Sequence, residues 1–144
     1  MHYKVKYGDK IAILGVPCNQ FGLQEHGKNY SEIMNGIKYV RPGNGFVPKF
    51  PLTEKTEVNG DNEHPLFTYI KKHCPSTRDG FSNKHDLFYS PFKNLDIRWN
   101  FEKFLVDDKG IPYARYDPST EPLSGILNDI KAIIRKKKKK KKKK

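Results

Sequence analysis

The segment KIAILGV at residues 10–16, closed by Pro17, is a short and uniformly apolar stretch, and it decides the expected fold. Apolar residues at successive positions, without the alternation of a half-exposed strand, predict a strand that is buried on both faces. Strands of that kind are typical of sheets that are covered by helices. We therefore expect an α/β architecture in which helices flank a central sheet.

Further elements are predicted on the C-terminal side of this segment. Helical spacing and capping residues predict helices near 30–38 and 64–72, and a hairpin is expected from 99–106 and 111–116 around a turn at 107–110. Residues 41–51 contain three prolines and two glycines, so we expect an exposed loop there. A terminal helix is expected to bury one apolar stripe, formed by Leu123, Ile126, Leu127, Ile130, Ile133 and Ile134.

The charge of the chain is concentrated at one end. The 144 residues carry a formal net charge of +12, but residues 136–144 are all lysine. Without those nine lysines, 19 basic residues stand against 16 acidic ones, and the formal charge falls to +3. The remainder is an ordinary, mildly basic sequence of a size suited to one domain, and a polyanion-binding interpretation depends on the lysine run alone.

Several classes of protein are disfavoured by the sequence. The longest apolar runs are only a few residues long, far short of the roughly 20 needed to cross a bilayer. The first ten residues have no signal-peptide pattern. Two distant cysteines, Cys18 and Cys74, and five histidines show no zinc-ligand spacing, so we expect no metal and no cofactor.

Two short motifs contain side chains that could take part in chemistry. The segment PCNQFG at 17–22 directly follows the predicted strand, where open α/β sheets place binding groups. Trp99 and Asn100 together supply an indole N–H and an amide without any charge. A structural interpretation stays open for each motif, because Cys18 could be a small buried hydrophobe and Trp99 a core residue.

Taken together, these motifs resemble the glutathione peroxidase family. The resemblance is carried by GVPCNQFGLQE at 15–25, KYVRPGNGF at 38–46, VNG at 58–60 with HPLF at 64–67, and DIRWNFEKFLV at 96–106. It covers nearly everything from residue 7 to about residue 116, in the order of the family. The resemblance implies a thioredoxin-like fold and the reduction of hydrogen peroxide or organic hydroperoxides by a thiol, usually glutathione.

The resemblance also implies a set of four catalytic groups. Three of them match Gln20, Trp99 and Asn100, neutral donors that would stabilise a thiolate or selenolate and polarise the departing peroxide oxygen. The fourth, a peroxidatic cysteine or selenocysteine, belongs upstream of the PCNQ segment in the family. Cys18 occupies the position of an ordinary cysteine and Cys74 lies in an unrelated loop, so we expect neither to be the nucleophile.

The reducing partner is expected to be glutathione or another thiol. An intact loop at 39–50, and the lack of a cysteine in the stretch before Val58, resemble the larger, tetrameric, glutathione-using branch. Arg41 matches an arginine implicated in holding the carboxylates of glutathione, although a structural role or a subunit contact is the alternative. The stretch after Arg115 departs from the arginine-rich pattern of the glutathione-specific enzymes.

The ends of the chain lead to further expectations. We expect residues 1–135 to be a partial domain that lacks the N-terminal strands and the catalytic loop, and residues 136–144 to be an unstructured tail. The chain alone is then expected to be inactive. The alternatives are a non-catalytic thioredoxin-like binding module, or a protein that binds nucleic acid or anionic membranes through the lysine run. Localisation stays open between cytoplasm and secretion.

Overall fold

The computed structural model of the chain describes residues 7–141. The α-helices are α1, Tyr30–Asn35, α2, Pro65–His73, and α3, Leu127–Lys141. The strands are β1, Lys103–Val106, and β2, Pro112–Tyr116. Short 3-10 turns occur at Gly8–Lys10 and Lys84–Asp86, and π-helical turns at Gly36–Val40 and Pro122–Ile126. The α/β class is therefore confirmed, although the sheet within the described residues is one antiparallel pair.

The segment at 10–16 corrects the expectation of a doubly buried strand. Within residues 7–141 its backbone forms only one bridge, a parallel one between Gly15 and Leu52, and Leu14 is 54% exposed. The Gly15 N–H donates to Pro51 O at 3.0 Å, and Thr53 N–H donates to Gly15 O at 2.9 Å. A strand is buried on both faces only when it pairs with neighbours and layers cover the sheet, and here the pairing is limited to one point.

Both predicted internal helices are present. Asn29 caps α1, since its Oδ1 accepts from Glu32 N–H at 3.0 Å, and Ile33 lies in the interior with 1% exposure. The helical stretch ends in the π-helical turn at Gly36–Val40, so its α-helical part is shorter than predicted. His64 caps α2 through Nδ1, which accepts from Leu66 N–H at 3.2 Å, and Pro65 follows at the first helical position.

The predicted hairpin is confirmed. Phe104 pairs with Arg115, and a register irregularity lies between Leu105 and Val106. The Asp107 carboxylate closes the turn by accepting from Lys109 N–H at 2.9 Å and Ile111 N–H at 3.0 Å.

The C-terminal helical region packs through part of the predicted stripe, because Ile126, in the π-helical turn, and Ile130, in α3, are buried. Tyr116 donates to the Asp129 carboxylate at 2.8 Å and ties the helix to β2. The helix continues to Lys141, whereas an unstructured tail was expected from Lys136. Lysine is a good helix former, and an anchored helix gains one hydrogen bond for each residue added. The remainder of the expected tail, 142–144, and the first six residues lie outside the described part.

The core lies between α2 and the segments that flank the hairpin. Its buried members are Cys18, Phe21, Val58, Phe67, Ile70, Leu87 and Ile97, with Trp99 and Tyr89 packed against them. No described helix is long and apolar enough to cross a membrane. Residues 7–141 also contain no group of three side chains suited to holding a metal ion.

Candidate active site

A tight loop follows Cys18 and points one glutamine outward. Asn19 Oδ1 accepts from Glu25 N–H at 2.9 Å, which closes the loop on itself. The Gly22 N–H donates to Asp86 O at 2.7 Å and links the loop to a distant segment. Gly22 and Leu23 have φ of 64° and 49°. Left-handed backbone disfavours a residue with a Cβ by about 1 kcal/mol, and such strain concentrates at functional sites. The turn exposes Gln24.

Asn100 reaches this loop from a distant part of the sequence. Its Nδ2 group donates to Gln24 Oε1 at 2.9 Å and to Phe21 O at 3.3 Å. Both N–H bonds of Asn100 are therefore used, and Gln24 accepts through its oxygen. The Gln24 Nε2 group donates to none of the residues 7–141, so its two N–H bonds are available to an incoming acceptor.

Trp99 stands next to this pair. Its half-buried ring packs on Phe21 with centroids 5.9 Å apart and a tilt of 50°. In the described part of the chain the indole N–H has no acceptor. Phe101, which directly follows Asn100, has φ of 64° and is 85% exposed. The chain therefore turns sharply just after Asn100. The region thus presents neutral N–H donors from two segments.

Gln20 lies elsewhere, so the structure does not bring this predicted catalytic residue together with Asn100. Its side chain is in the interior, where Oε1 accepts from Val58 N–H at 2.9 Å and Asn59 N–H at 3.0 Å, and Nε2 donates to Asn59 O at 2.9 Å. These bonds hold the 58–59 backbone. The glutamine beside Asn100 is Gln24, in the same quoted motif but beyond the glycine turn. That position after Gly22 is the signal that could have identified it.

Both cysteines are buried, and burial disfavours their thiolate forms. Cys18 Sγ lies 3.6 Å from Gln20 Oε1, and desolvation raises the pKa of this thiol despite backbone hydrogen bonds that lower it. Desolvation also raises the pKa of Cys74, and this effect exceeds the lowering of the pKa by the positive charge of Arg115. Since the thiolate is the reactive form, neither environment favours nucleophilic attack.

Arg41 is exposed at the end of the π-helical turn, at the start of the loop 41–51. Its guanidinium makes no hydrogen bond to Gln24, Trp99 or Asn100 within the described residues. A cavity of about 280 Å³ lies apart from these three side chains. Its lining consists of Val16, residues 53–56, His64, Leu66 and Phe67.

The fold and the donor set define a class before any individual relative is considered. The chain is a thioredoxin-like α/β protein, and the donors of its candidate site are uncharged amide and indole groups. It belongs to the glutathione peroxidase family, whose model, described as "Glutathione peroxidase", matches residues 2–71.

Individual relatives agree with this membership. The chain is 53% identical over 120 residues to glutathione peroxidase 6 of Mus musculus, covering 83% of this chain and 53% of the relative. It is 49% identical over 126 residues to glutathione peroxidase 3 of Macaca fuscata fuscata, covering 88% of this chain and 55% of the relative. The chain therefore spans about half the length of the curated relatives it matches.

Solved structures show the same similarity. The crystal structure of Trgpx in apo form matches with a TM-score of 0.60 and 30% identity, over 93% of this chain and 64% of that one. The crystal structure of T. cruzi GPX1 matches with a TM-score of 0.60 and 26% identity, over 92% and 66%.

Proposed function

We propose that the protein reduces hydrogen peroxide or organic hydroperoxides with glutathione or another thiol as reductant. The observation that carries this proposal is the hydrogen bond from Asn100 Nδ2 to Gln24 Oε1. It turns the amide so that Gln24 Nε2 is free to donate, and Trp99, the sequence neighbour of Asn100, adds an indole N–H that has no acceptor among residues 7–141. Neutral donors that converge on one point stabilise a chalcogen anion and lower its pKa.

The proposed reaction divides into three balanced steps. A thiolate or selenolate attacks one peroxide oxygen, the O–O bond breaks, and the nucleophile becomes a sulfenic or selenenic acid while the departing alkoxide takes a proton. A first glutathione thiol attacks the oxidised chalcogen and releases water, leaving a mixed disulfide or selenyl sulfide. A second thiol displaces the enzyme group and yields oxidised glutathione.

The donors have separate parts in the first step. Gln24 Nε2 and Trp99 Nε1 stabilise the attacking anion and the negative charge that develops on the departing oxygen. Asn100 orients Gln24, because both of its own N–H bonds are already used. The assignment of Gln24 replaces that of Gln20, whose amide is engaged with the 58–59 backbone.

The nucleophile in this proposal is neither Cys18 nor Cys74, since burial raises the pKa of both thiols. These are the two cysteines of the sequence. The peroxidatic cysteine or selenocysteine would therefore be supplied by protein sequence outside these 144 residues, upstream of the PCNQ segment as the family resemblance implies.

The exposed loop 41–51 and its flanks are proposed to bind glutathione and to form a subunit contact. Arg41 offers a planar guanidinium to a carboxylate of glutathione. The surrounding apolar residues are unusually exposed, as in Val40 at 79%, Tyr39 at 65% and Val47 at 51%. Exposed apolar patches are typical of interfaces, and a homotetramer is the assembly we propose. Light scattering on the purified protein gives its mass and tests that assembly.

A coupled assay tests the proposed activity. Glutathione oxidation by peroxide is followed through NADPH consumption by added glutathione reductase. The substrates are hydrogen peroxide and an organic hydroperoxide, and the samples are the 144-residue chain and any longer in-frame product of its transcript. We expect turnover from a longer product with an upstream cysteine or selenocysteine, its loss when that residue becomes serine, and no turnover from the shorter chain.

Two other outcomes would overturn parts of the proposal. Turnover by the 144-residue chain that disappears in Cys18→Ser would overturn the assignment of the nucleophile. A stop codon directly upstream of Met1, or an inactive longer product, would favour the non-catalytic binding module. The polyanion-binding alternative instead predicts heparin binding that is lost when residues 136–144 are removed.

A further inference from the structure

Asn59 is fully buried, with 0% exposure, and holds the backbone two residues before Trp99. Its Oδ1 accepts from Ile97 N–H at 2.9 Å, and its Nδ2 donates to Ile97 O at 2.9 Å. One side-chain amide thus satisfies both polar groups of one residue, as a neighbouring strand would. The segment that leads into Trp99 and Asn100 is fixed at this point.

Lys71 determines which way the Asn59 amide faces. Its ammonium group is almost fully buried and donates to Asn59 Oδ1 and Val58 O, both at 3.0 Å. An ammonium group has donors and no acceptor, so the amide oxygen must face Lys71. The Nδ2 group must then face Ile97 O. The carboxylates that balance this charge are the buried Asp96, at 3.2 Å, and the partly buried Glu63.

The Gln20 side chain is hydrogen-bonded to the backbone of the same residue, Asn59. Its amide accepts from Asn59 N–H at 3.0 Å and donates to Asn59 O at 2.9 Å. Gln20 begins the loop that ends at Gln24, while Ile97 precedes the Trp99–Asn100 pair. The two segments that present the donors are therefore both hydrogen-bonded to one buried asparagine, Asn59.

We propose that Asn59, oriented by Lys71, is a positioning residue that fixes Trp99 and Asn100 relative to the Gln24 loop. The importance of this placement for peroxide reduction rests on the proposed function, but the placement itself does not. Preorganised donors are effective only when supporting hydrogen bonds hold them within a fraction of an ångström of the productive geometry. A buried, fully satisfied network provides that rigidity.

The test uses the fluorescence of Trp99, which is the only tryptophan of the sequence. Asn59→Asp keeps the shape of the side chain and replaces the donor that faces Ile97 O by an oxygen. Lys71→Met removes the group that orients the amide. Matched controls are Asn62→Asp and Lys72→Met, the same chemical changes at exposed positions nearby.

In the folded state, we expect both interior variants to shift the Trp99 emission maximum and to increase quenching by acrylamide. Both control variants are expected to match the unsubstituted protein. Circular dichroism and thermal melts are recorded separately, because a purely structural role would lower the melting temperature and leave the folded-state emission unchanged. Unchanged emission in folded Asn59→Asp would overturn the proposal.

Hydrogen exchange on the unsubstituted chain covers the case in which a variant does not fold. The Ile97 amide is expected to exchange more slowly than the amides of neighbouring loop residues, and exchange at the loop rate would contradict the proposal. Neither readout needs catalysis. If the longer product is inactive while Asn59→Asp shifts the Trp99 emission, only the proposed function is refuted. If the longer product is active while Asn59→Asp leaves the emission unchanged, only the positioning role is refuted.

Discussion

Asn100 Nδ2 donates a 2.9 Å hydrogen bond to Gln24 Oε1 across 76 positions of sequence. The bond links the loop after Cys18 to the segment before β1, and it leaves the Gln24 Nε2 group without an acceptor in the described residues. Among the two glutamines of the PCNQFGLQE motif, only Gln24 is available to a ligand.

Replacing each glutamine by alanine should separate binding chemistry from stability. Gln24 is exposed, so Gln24→Ala is expected to change the free energy of unfolding by less than about 0.5 kcal/mol. In the form of the protein that shows turnover, it should lower kcat/KM by about 10²-fold, since a transition-state donor is lost. Gln20→Ala removes partners from two N–H groups and one carbonyl and should lower stability by about 3 kcal/mol.

Urea unfolding and the coupled assay measure these two effects. If Gln20→Ala reduced turnover without destabilising the chain while Gln24→Ala left turnover intact, the earlier assignment of Gln20 would be restored.

Trp99→Phe tests the indole N–H while keeping an aromatic ring against Phe21. Because the ring is only half-buried, we expect a loss of stability of about 1–2 kcal/mol. Turnover should fall by about 10²-fold, as for other donors aimed at developing charge. Steady-state kinetics give the turnover, and unchanged kinetics would show that Trp99 serves packing alone. Phe104→Leu, another change beside the core, is the control.

The two buried thiols should react slowly in the folded chain. Desolvation raises the pKa of Cys18 and of Cys74, so near neutral pH their thiolate fraction lies below that of an ordinary cysteine. Alkylation by iodoacetamide, followed by mass spectrometry, should be much slower in buffer than in urea. Single Cys18→Ser and Cys74→Ser variants assign the residual rate. Rapid modification of one thiol in the folded state would mark it as a candidate nucleophile.

The pH dependence of stability should contain a contribution from Asp117. Hydrogen bonds from Arg78, assisted by Ser119, hold the pKa of this carboxyl well below its usual value. A carboxyl whose pKa is lower in the folded state stabilises the fold above its ordinary pKa, near 4, and that contribution disappears as the pH falls through the folded value.

Thermal melts across acidic pH therefore should show a decline that Asp117→Asn makes shallower, with exposed Asp79→Asn as the control. The Arg78 side chain is 43% exposed, so added salt should weaken the difference. Identical profiles for Asp117→Asn and the unsubstituted chain would contradict this assignment.

Arg41→Ala should weaken binding of the thiol substrate in the form that turns over. Loss of a charge-assisted hydrogen bond to a carboxylate corresponds to about 2 kcal/mol, or roughly a 30-fold rise in the KM for glutathione. Arg41→Lys should recover only part of this loss, because lysine cannot form the planar paired contact. If the KM stayed constant while the molecular mass in solution fell, Arg41 would instead belong to a subunit contact.

Elements with local causes were predicted correctly. Asn29 and Glu32 identified the start of α1, Pro65 identified the start of α2, and the turn at 107–110 identified the hairpin, because caps and turns depend on residues a few positions apart. The prediction of a strand buried on both faces at 10–16 was wrong, because the burial of a strand depends on distant neighbours. The lysine run likewise departed from expectation, since α3 continues to Lys141.

By itself, the sequence determined the family and the α/β class and led us to propose Trp99 and Asn100 as site residues, because these follow from motifs whose order survives without coordinates. Only the tertiary structure decided which glutamine joins them. Gln20 and Gln24 are chemically identical and four residues apart, and the left-handed turn at Gly22 and Leu23 places one in the core and the other beside Asn100. Burial and partners depend on long-range contacts, which no local pattern encodes.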